Sequence, residues 1–221
     1  ADFKYCTSIQ EETLPLSLSG KDVAGQAQTG TGKTAAFLIT LFTRLLKNPK
    51  PKPRGKGLAA APRALVIAPT RELARQIEID ARLIGGHCKF RIICINGGMD
   101  YEKQRNQIKD GADILIVTPG RIIDYYKQKL FSLKELEVLV VDEADRMFDM
   151  GFIMDLRYLF RNCSSYHKRQ SMLFSATLNY RVMELCYEHM NNPVKVMVEP
   201  EKTVVDEVTQ ILYHVGLHEK F

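Results

Sequence analysis

The sequence predicts an α/β domain built on a parallel sheet with helices on both faces. Five short runs, ALVIAP (64–69), RIICING (91–97), DILIVTP (113–119), VLVVDE (138–143) and SMLFSAT (171–177), are rich in Val, Ile and Leu. They show little polar alternation, as expected of strands covered on both sides. Segments with apolar residues at helical spacing separate them, RELARQIEIDARLI (71–84) among them. Strand–helix–strand repetition argues for parallel pairing. Such sheets bind ligands at the carboxyl ends of their strands. Four of the runs end there in small or polar clusters (APTR, NGG, VTPGR, SAT), and the fifth ends in acids.

Taken in chain order, a short apolar run (Val23, Ala24) leads into AQTGTGKT (27–34) and then the helical AAFLITLFTRLL. This is the context of a phosphate-binding loop. Gly30 and Gly32 let backbone N–H groups turn inward, Lys33 adds a charge for the β and γ phosphates, and Thr34 offers a hydroxyl to Mg²⁺. Ala27 stands where the common pattern has Gly. KNPKPKPRGKG (47–57) is rich in Pro, Gly and Lys and reads as a solvated surface loop, with RNA contact as the alternative.

VLVVDEADRMFD then places Asp142, Glu143 and Asp145 at a strand end. Beside a phosphate loop, Asp142 can hold Mg²⁺ directly or through water. Glu143 can orient and deprotonate a water attacking the γ-phosphate. Asp145 lies too far along to be a first ligand and is expected to hydrogen-bond neighbouring segments. The competing reading, carboxylates stabilising a helix N-terminus, suits Glu143 and Asp145 better than Asp142. After SAT come a helical YRVMELCYEHMN (180–191), a strand-like VKVMV (194–198) and the tail TQILYHVGLHEKF.

Composition sets the outer limits. The 221 residues, 45% hydrophobic, suffice for one α/β domain with or without a tail. A net charge of +5 permits a polyanionic partner without requiring one. Five cysteines without a CxxC pair argue against a disulfide framework or zinc site and for a reducing cytoplasm. No apolar run reaches membrane-span length, and no secretory leader pattern is visible. The five histidines show no ligand spacing. The oligomeric state is left open by the sequence, with a monomer as the default expectation.

The ordered segments resemble the DEAD-box RNA helicases: AQTGTGKT, PTRELA (69–74), GG (97–98), TPGR (118–121), DEAD (142–145) and SAT (175–177). CTSIQ (6–10), with Phe3 upstream, resembles that family's adenine-recognising motif. DVAGQAQTGTGKTAAFLI and EADRMFDMGFIMDLRYLFR resemble the bacterial RhlB-type branch. Ser8 stands where the family usually has Pro, and Asp2 where Gly is common; both flank the adenine site.

The resemblance implies a RecA-like P-loop NTPase lobe over residues 1–202, with 203–221 forming a linker and the start of a second lobe. It implies an RNA helicase and ATP hydrolase using ATP and Mg²⁺. Gln10 would read the adenine edge, and Phe3 would stack on its face or simply pack in the core. Gln28, Thr29, Gly30, Thr31, Gly32, Lys33 and Thr34 would cradle phosphates, with Thr34 and Asp142 toward the metal. Pro69, Thr70, Arg71, Gly97, Gly98, Thr118, Pro119, Gly120 and Arg121 would line an RNA face. Such groups contact phosphate and sugar and carry little sequence preference. Contacts to the 2′-hydroxyl would favour RNA over DNA. Asp145, Ser175 and Thr177 would couple the two sites.

The family's second lobe and its arginine finger are not recognised here. The chain is therefore expected to be the N-terminal lobe of a longer protein, binding nucleotide but hydrolysing it poorly. An RhlB-like protein would act in bacterial RNA decay and meet an RNase E-type scaffold through the second lobe. The alternatives are an ATP-gated RNA clamp with little unwinding and a P-loop NTPase acting on DNA.

Overall fold

The computed structural model describes residues 4–49, 61–98 and 100–198. Phe3, most of the basic loop and the 203–221 segment lie outside these. The strands, in chain order, are β1 (Val23–Gln26), β2 (Ala64–Ile67), β3 (Ile92–Ile95), β4 (Ile114–Val117), β5 (Val138–Val141), β6 (Gln170–Ser175) and β7 (Val194–Met197). They form one sheet in the order β3-β4-β2-β5-β6-β1-β7, every pair parallel. The predicted sheet is therefore present, and its order places β6 between β1 and β5.

Residues alternate between two cores because side chains along a strand point to opposite faces. Leu65, Ile67, Leu139 and Val141 enter one core, while Ala64, Val66, Val138 and Val140 enter the other. The second core is closed by α1 (Ser8–Leu18), α2 (Lys33–Lys47) and α3 (Arg71–Ile84), which contribute Ile9, Phe37, Leu41 and Ile77. The first is closed by α4 (Tyr101–Lys109), α5 (Pro119–Lys127), α6 (Ala144–Asp149), α7 (Ile153–Asn162) and α8 (Tyr180–His189), through residues such as Ile108, Ile122, Met147, Leu156 and Leu185. Each fully buried Leu, Ile or Phe contributes about 1.5–3 kcal/mol, so burial on both faces selects this layering.

The strands stop earlier than the apolar runs suggest, because the residues that follow open helices. Thr70 caps α3, its hydroxyl accepting from Leu73 N at 3.2 Å. Thr118 precedes Pro119 at the first turn of α5, where a missing N–H costs nothing. The helix α1 lacks a strong apolar stripe and contains Pro15. Its start is held by Thr7 N donating to Gln10 Oε1 at 3.1 Å.

A polar network ties the opposite, amino end of the sheet. Arg63 Nε donates to Glu137 Oε1 at 2.6 Å, both side chains nearly buried, and Arg63 Nη2 reaches Leu45 O at 3.2 Å. Asp22 accepts from Ser171 N and Asn191 N, each at 2.8 Å. Burial raises the Asp22 carboxyl pKa, and those two bonds oppose the rise. Gln170 Nε2 donates to Ser17 O at 2.6 Å and Lys21 O at 2.9 Å. Each donor or acceptor here would be costly to bury alone.

Candidate functional site

The loop between β1 and α2 turns on two glycines in the left-handed region, Gly30 at φ 84° and Gly32 at φ 91°. It opens into a pocket of about 480 Å³. Tyr5, Thr7 and Gln10 line one end, Leu73 and Gln76 of α3 another part, and Lys33, Thr34, Asp142 and Glu143 also reach it. Lys33 Nζ lies 3.8 Å from Asp142 Oδ1, both side chains buried. That is too long for a hydrogen bond, and Lys33 Nζ has no hydrogen-bond partner among the described residues. A buried ammonium without a hydrogen-bonding acceptor is costly unless an anion completes it.

Gln10 is buried and committed on both sides of its amide. Its Oε1 accepts from Thr7 N, and its Nε2 donates to Gly32 O at 3.1 Å. A primary amide has two N–H donors and two acceptor lone pairs, so one of each remains. That pair matches an edge offering one acceptor and one donor.

The acids at the end of β5 take different positions. Asp142 Oδ1 accepts from Glu143 N at 3.0 Å. Burial pushes the Asp142 carboxyl up to about 6; Lys33 beside it opposes the rise and Glu143 adds to it. Glu143 adopts φ 52° and ψ 53°, a left-handed conformation that costs a non-glycine residue about 1–3 kcal/mol. Its Oε1 accepts from Thr29 Oγ1 at 3.1 Å and its Oε2 from Arg146 Nη1 at 3.3 Å. Asp145, in α6 just beyond β5, is tied to the end of β6: its N donates to Ser175 Oγ at 3.1 Å, and its Oδ2 accepts from Thr177 N at 3.1 Å and Thr177 Oγ1 at 3.4 Å.

A second, more open groove of about 620 Å³ lies at the ends of β2, β3 and β4. Pro69, Thr70, Arg71, Gly97, Thr118, Gly120 and Arg121 line it, with Glu72, Asp124, Met150 and Phe152. The first turns of α3 and α5 therefore meet there, and helix N-termini favour anions. Arg71 lies across the Gly97–Gly98 turn: a Cβ on Gly98 would come within 2.3 Å of Arg71 Nη1, and one on Gly97 within 2.9 Å of Nη2. The φ of 83° at Gly98 is a left-handed conformation that favours glycine.

The model of the DEAD/DEAH box helicase family matches residues 7–185. The chain belongs to that family. It is 54% identical over its whole length to an ATP-dependent RNA helicase RhlB of Idiomarina loihiensis, of which it covers 51%. It is 52% identical to one of Xanthomonas oryzae pv. oryzae, of which it covers 38%. Thus the chain spans about half of the first relative's length and less of the second's. The structure resembles the yeast DEAD-box splicing factor Prp28 with a TM-score of 0.83, at 32% identity, covering 91% of this chain and 47% of that one. It also resembles a hypothetical ATP-dependent RNA helicase from Sulfolobus tokodaii, with a TM-score of 0.77 at 33% identity, covering 89% and 54%. The RecA-like fold expected from the sequence is the fold observed.

Within this DEAD-box domain the residues named from sequence fall into three groups. Gln10, Thr29, Gly30, Gly32, Lys33, Thr34, Asp142 and Glu143 share the pocket, whereas Gln28 and Thr31 do not line it; Thr31 Oγ1 donates to Gln28 O at 2.7 Å. The groove collects seven of the nine expected RNA-face residues. Pro119 is instead buried in the first turn of α5, and Gly98 supports Arg71 from beneath. Asp145, Ser175 and Thr177 join the strand ends between them. Thr34 and Asp142 offer hard oxygen donors suited to Mg²⁺, and Lys33, which has Asp142 at 3.8 Å but no hydrogen bond among the described residues, suits a phosphate; the residues present fit both.

Several neighbours were not singled out by the sequence. Tyr5 and Gln76 enter the pocket through the fold, and Thr7 and Leu73 enter it from within the CTSIQ and PTRELA segments. Arg146 reaches Glu143 from the next helix turn, a spacing that the i,i+3 rule could have flagged. No helix among the described residues is long and apolar enough to cross a membrane.

Proposed function

We propose that this chain binds ATP and Mg²⁺ in the phosphate-loop pocket and an RNA backbone in the groove. A second RecA-like lobe then completes an RNA-dependent ATPase that separates short duplexes. The observation that carries this reading is Lys33: a buried ammonium with no hydrogen-bond partner among the described residues, lining the phosphate-loop pocket 3.8 Å from Asp142. The likeness to RhlB supports a place in bacterial RNA decay, with an RNase E-type scaffold contacted outside this lobe.

The chain's own groups divide the work. Gln10 directs its free N–H and lone pair at the base edge. Backbone N–H groups of the loop and Lys33 hold the phosphate oxygens. Thr34 and Asp142 would hold the cation, and Mg²⁺ would supply charge neutralisation to the phosphate oxygens when bound. Glu143 accepts the proton of the attacking water once its carboxylate is released from Thr29 and Arg146. Asp145 passes the position of the SAT segment to the acids through Ser175 and Thr177. Phosphoryl transfer depends on positioning and charge, and an arginine finger is worth roughly 10³–10⁵ in rate. This lobe alone therefore binds ATP and turns it over slowly.

Titration calorimetry of MgATP against the chain and its Lys33→Ala variant tests the reading. Binding is expected for the chain and its loss for the variant. Equal affinities would refute the assignment of the pocket.

A further inference from the structure

We infer that Tyr101 is a positioning residue for Arg121, an aromatic support that fixes this guanidinium in the groove. The inference rests on the RNA-face reading above and goes further by naming what aims its second arginine.

The two arginines of the groove are held by different means. Arg71 fits over a turn that lacks side chains. Arg121 stands over aromatic rings: its Cζ lies 5.4 Å from the centroid of Tyr101 and 6.0 Å from that of Tyr125. Both distances fall within the range of cation–π attraction. The two rings are themselves in contact, with centroids 4.8 Å apart and planes tilted by 35°.

The support is anchored. Tyr125 is fully buried, and its hydroxyl donates to Tyr101 O at 3.0 Å. The same hydroxyl lies 3.4 Å from Gln104 Oε1, while Gln104 Nε2 donates to Asn96 O at 3.0 Å. Asn96 immediately precedes the Gly97–Gly98 turn that carries Arg71. A continuous set of contacts therefore links the seats of both arginines, and it fixes the distance between two cations that face one strand of phosphates. An unsupported Arg121 would lose rotamer freedom on binding RNA; a pre-held one loses less. Tyr101 is only half-buried, so its replacement need not unfold the domain.

The test is a double-mutant cycle. A fluorescent oligouridylate is titrated by anisotropy over a range of salt concentrations, with wild type, Tyr101→Leu, Tyr101→Phe, Arg121→Ala and Tyr101→Leu/Arg121→Ala. Thermal melts confirm that each variant is folded. Arg121→Ala is expected to weaken binding and to lower the salt slope by about one. Tyr101→Leu is expected to weaken binding about two- to fivefold, the range of one exposed cation–π contact. Tyr101→Phe restores affinity, and the double variant is no weaker than Arg121→Ala alone. If Arg121→Ala is effective but Tyr101→Leu is silent, the positioning role is overturned. Additive losses overturn it as well, because Tyr101 would then touch RNA itself. A silent Arg121→Ala overturns the RNA-face reading, and the inference with it.

Discussion

Replacing Gly32 by Ala perturbs the nucleotide pocket in two ways that a companion variant can separate. Gly32 has φ 91°, and a Cβ there would lie 2.5 Å from Gln10 Nε2 and 3.0 Å from Thr7 Oγ1. The left-handed backbone alone costs an L-residue about 1–2 kcal/mol. The clash also drives the Gln10 amide off Gly32 O, removing a hydrogen bond worth about 0.5–1.5 kcal/mol. Together these amount to about 1.5–3.5 kcal/mol of stability. Gly30 has φ 84° but open space around its Cβ, so Gly30→Ala bears only the backbone cost. Urea unfolding should therefore rank Gly32→Ala below Gly30→Ala. Calorimetry with ADP and GDP should show that Gly32→Ala alone also disturbs base preference. Equal stability losses and unchanged base preference in both variants would refute the placement of Gln10 against the loop.

Other expectations follow from the same geometry. Arg63→Met removes the buried 2.6 Å ion pair with Glu137 and the bond to Leu45 O while Asn48 Nδ2 still donates to Glu137 Oε2 at 2.8 Å, and it should lower stability in urea unfolding by about 3 kcal/mol, the lower end of the range for broken buried pairs. Asp145→Ala should leave MgADP affinity unchanged while raising amide exchange at Thr177, whose N–H loses its acceptor. The Asp142 carboxyl titrates near 6, above its ordinary 3.8, because it is buried. The charged form that a divalent cation needs is therefore lost as pH falls through about 6, and Mg²⁺-dependent ADP affinity should fall with it in calorimetry across that range. For stability the sign is the reverse: a raised folded pKa favours the fold fully below 3.8, and this contribution is lost as pH rises through about 6.

Much of the fold was legible because strands buried on both faces leave an uninterrupted Val/Ile/Leu signal, as in β2, β4 and β5. Strand order was not, since no local pattern says that β6 lies between β1 and β5. The helix α1 escaped notice because its stability comes from burying Ile9 and from the Thr7–Gln10 contact, with little help from an apolar stripe. At the site, residue types with dedicated chemistry were readable: glycines, a lysine and the acids. Their supports were not. Tyr101 and Tyr125 look like ordinary helix residues until the fold places them under Arg121. The positive φ of Glu143 is likewise invisible in a string of letters, because the surrounding structure imposes it. Gln10 was readable only as a base-facing amide; the structure adds that one of its N–H groups holds the phosphate loop at Gly32 O while its oxygen caps its own helix at Thr7 N.

The most direct test of the central claim is base selectivity. MgADP and MgGDP are titrated by calorimetry into the chain and into Gln10→Ala. The account predicts that the chain prefers ADP and that Gln10→Ala loses the preference while Lys33 and the loop still hold phosphate. Equal binding of ADP and GDP by the unaltered chain would contradict it and leave a phosphate-loop NTPase with no adenine site.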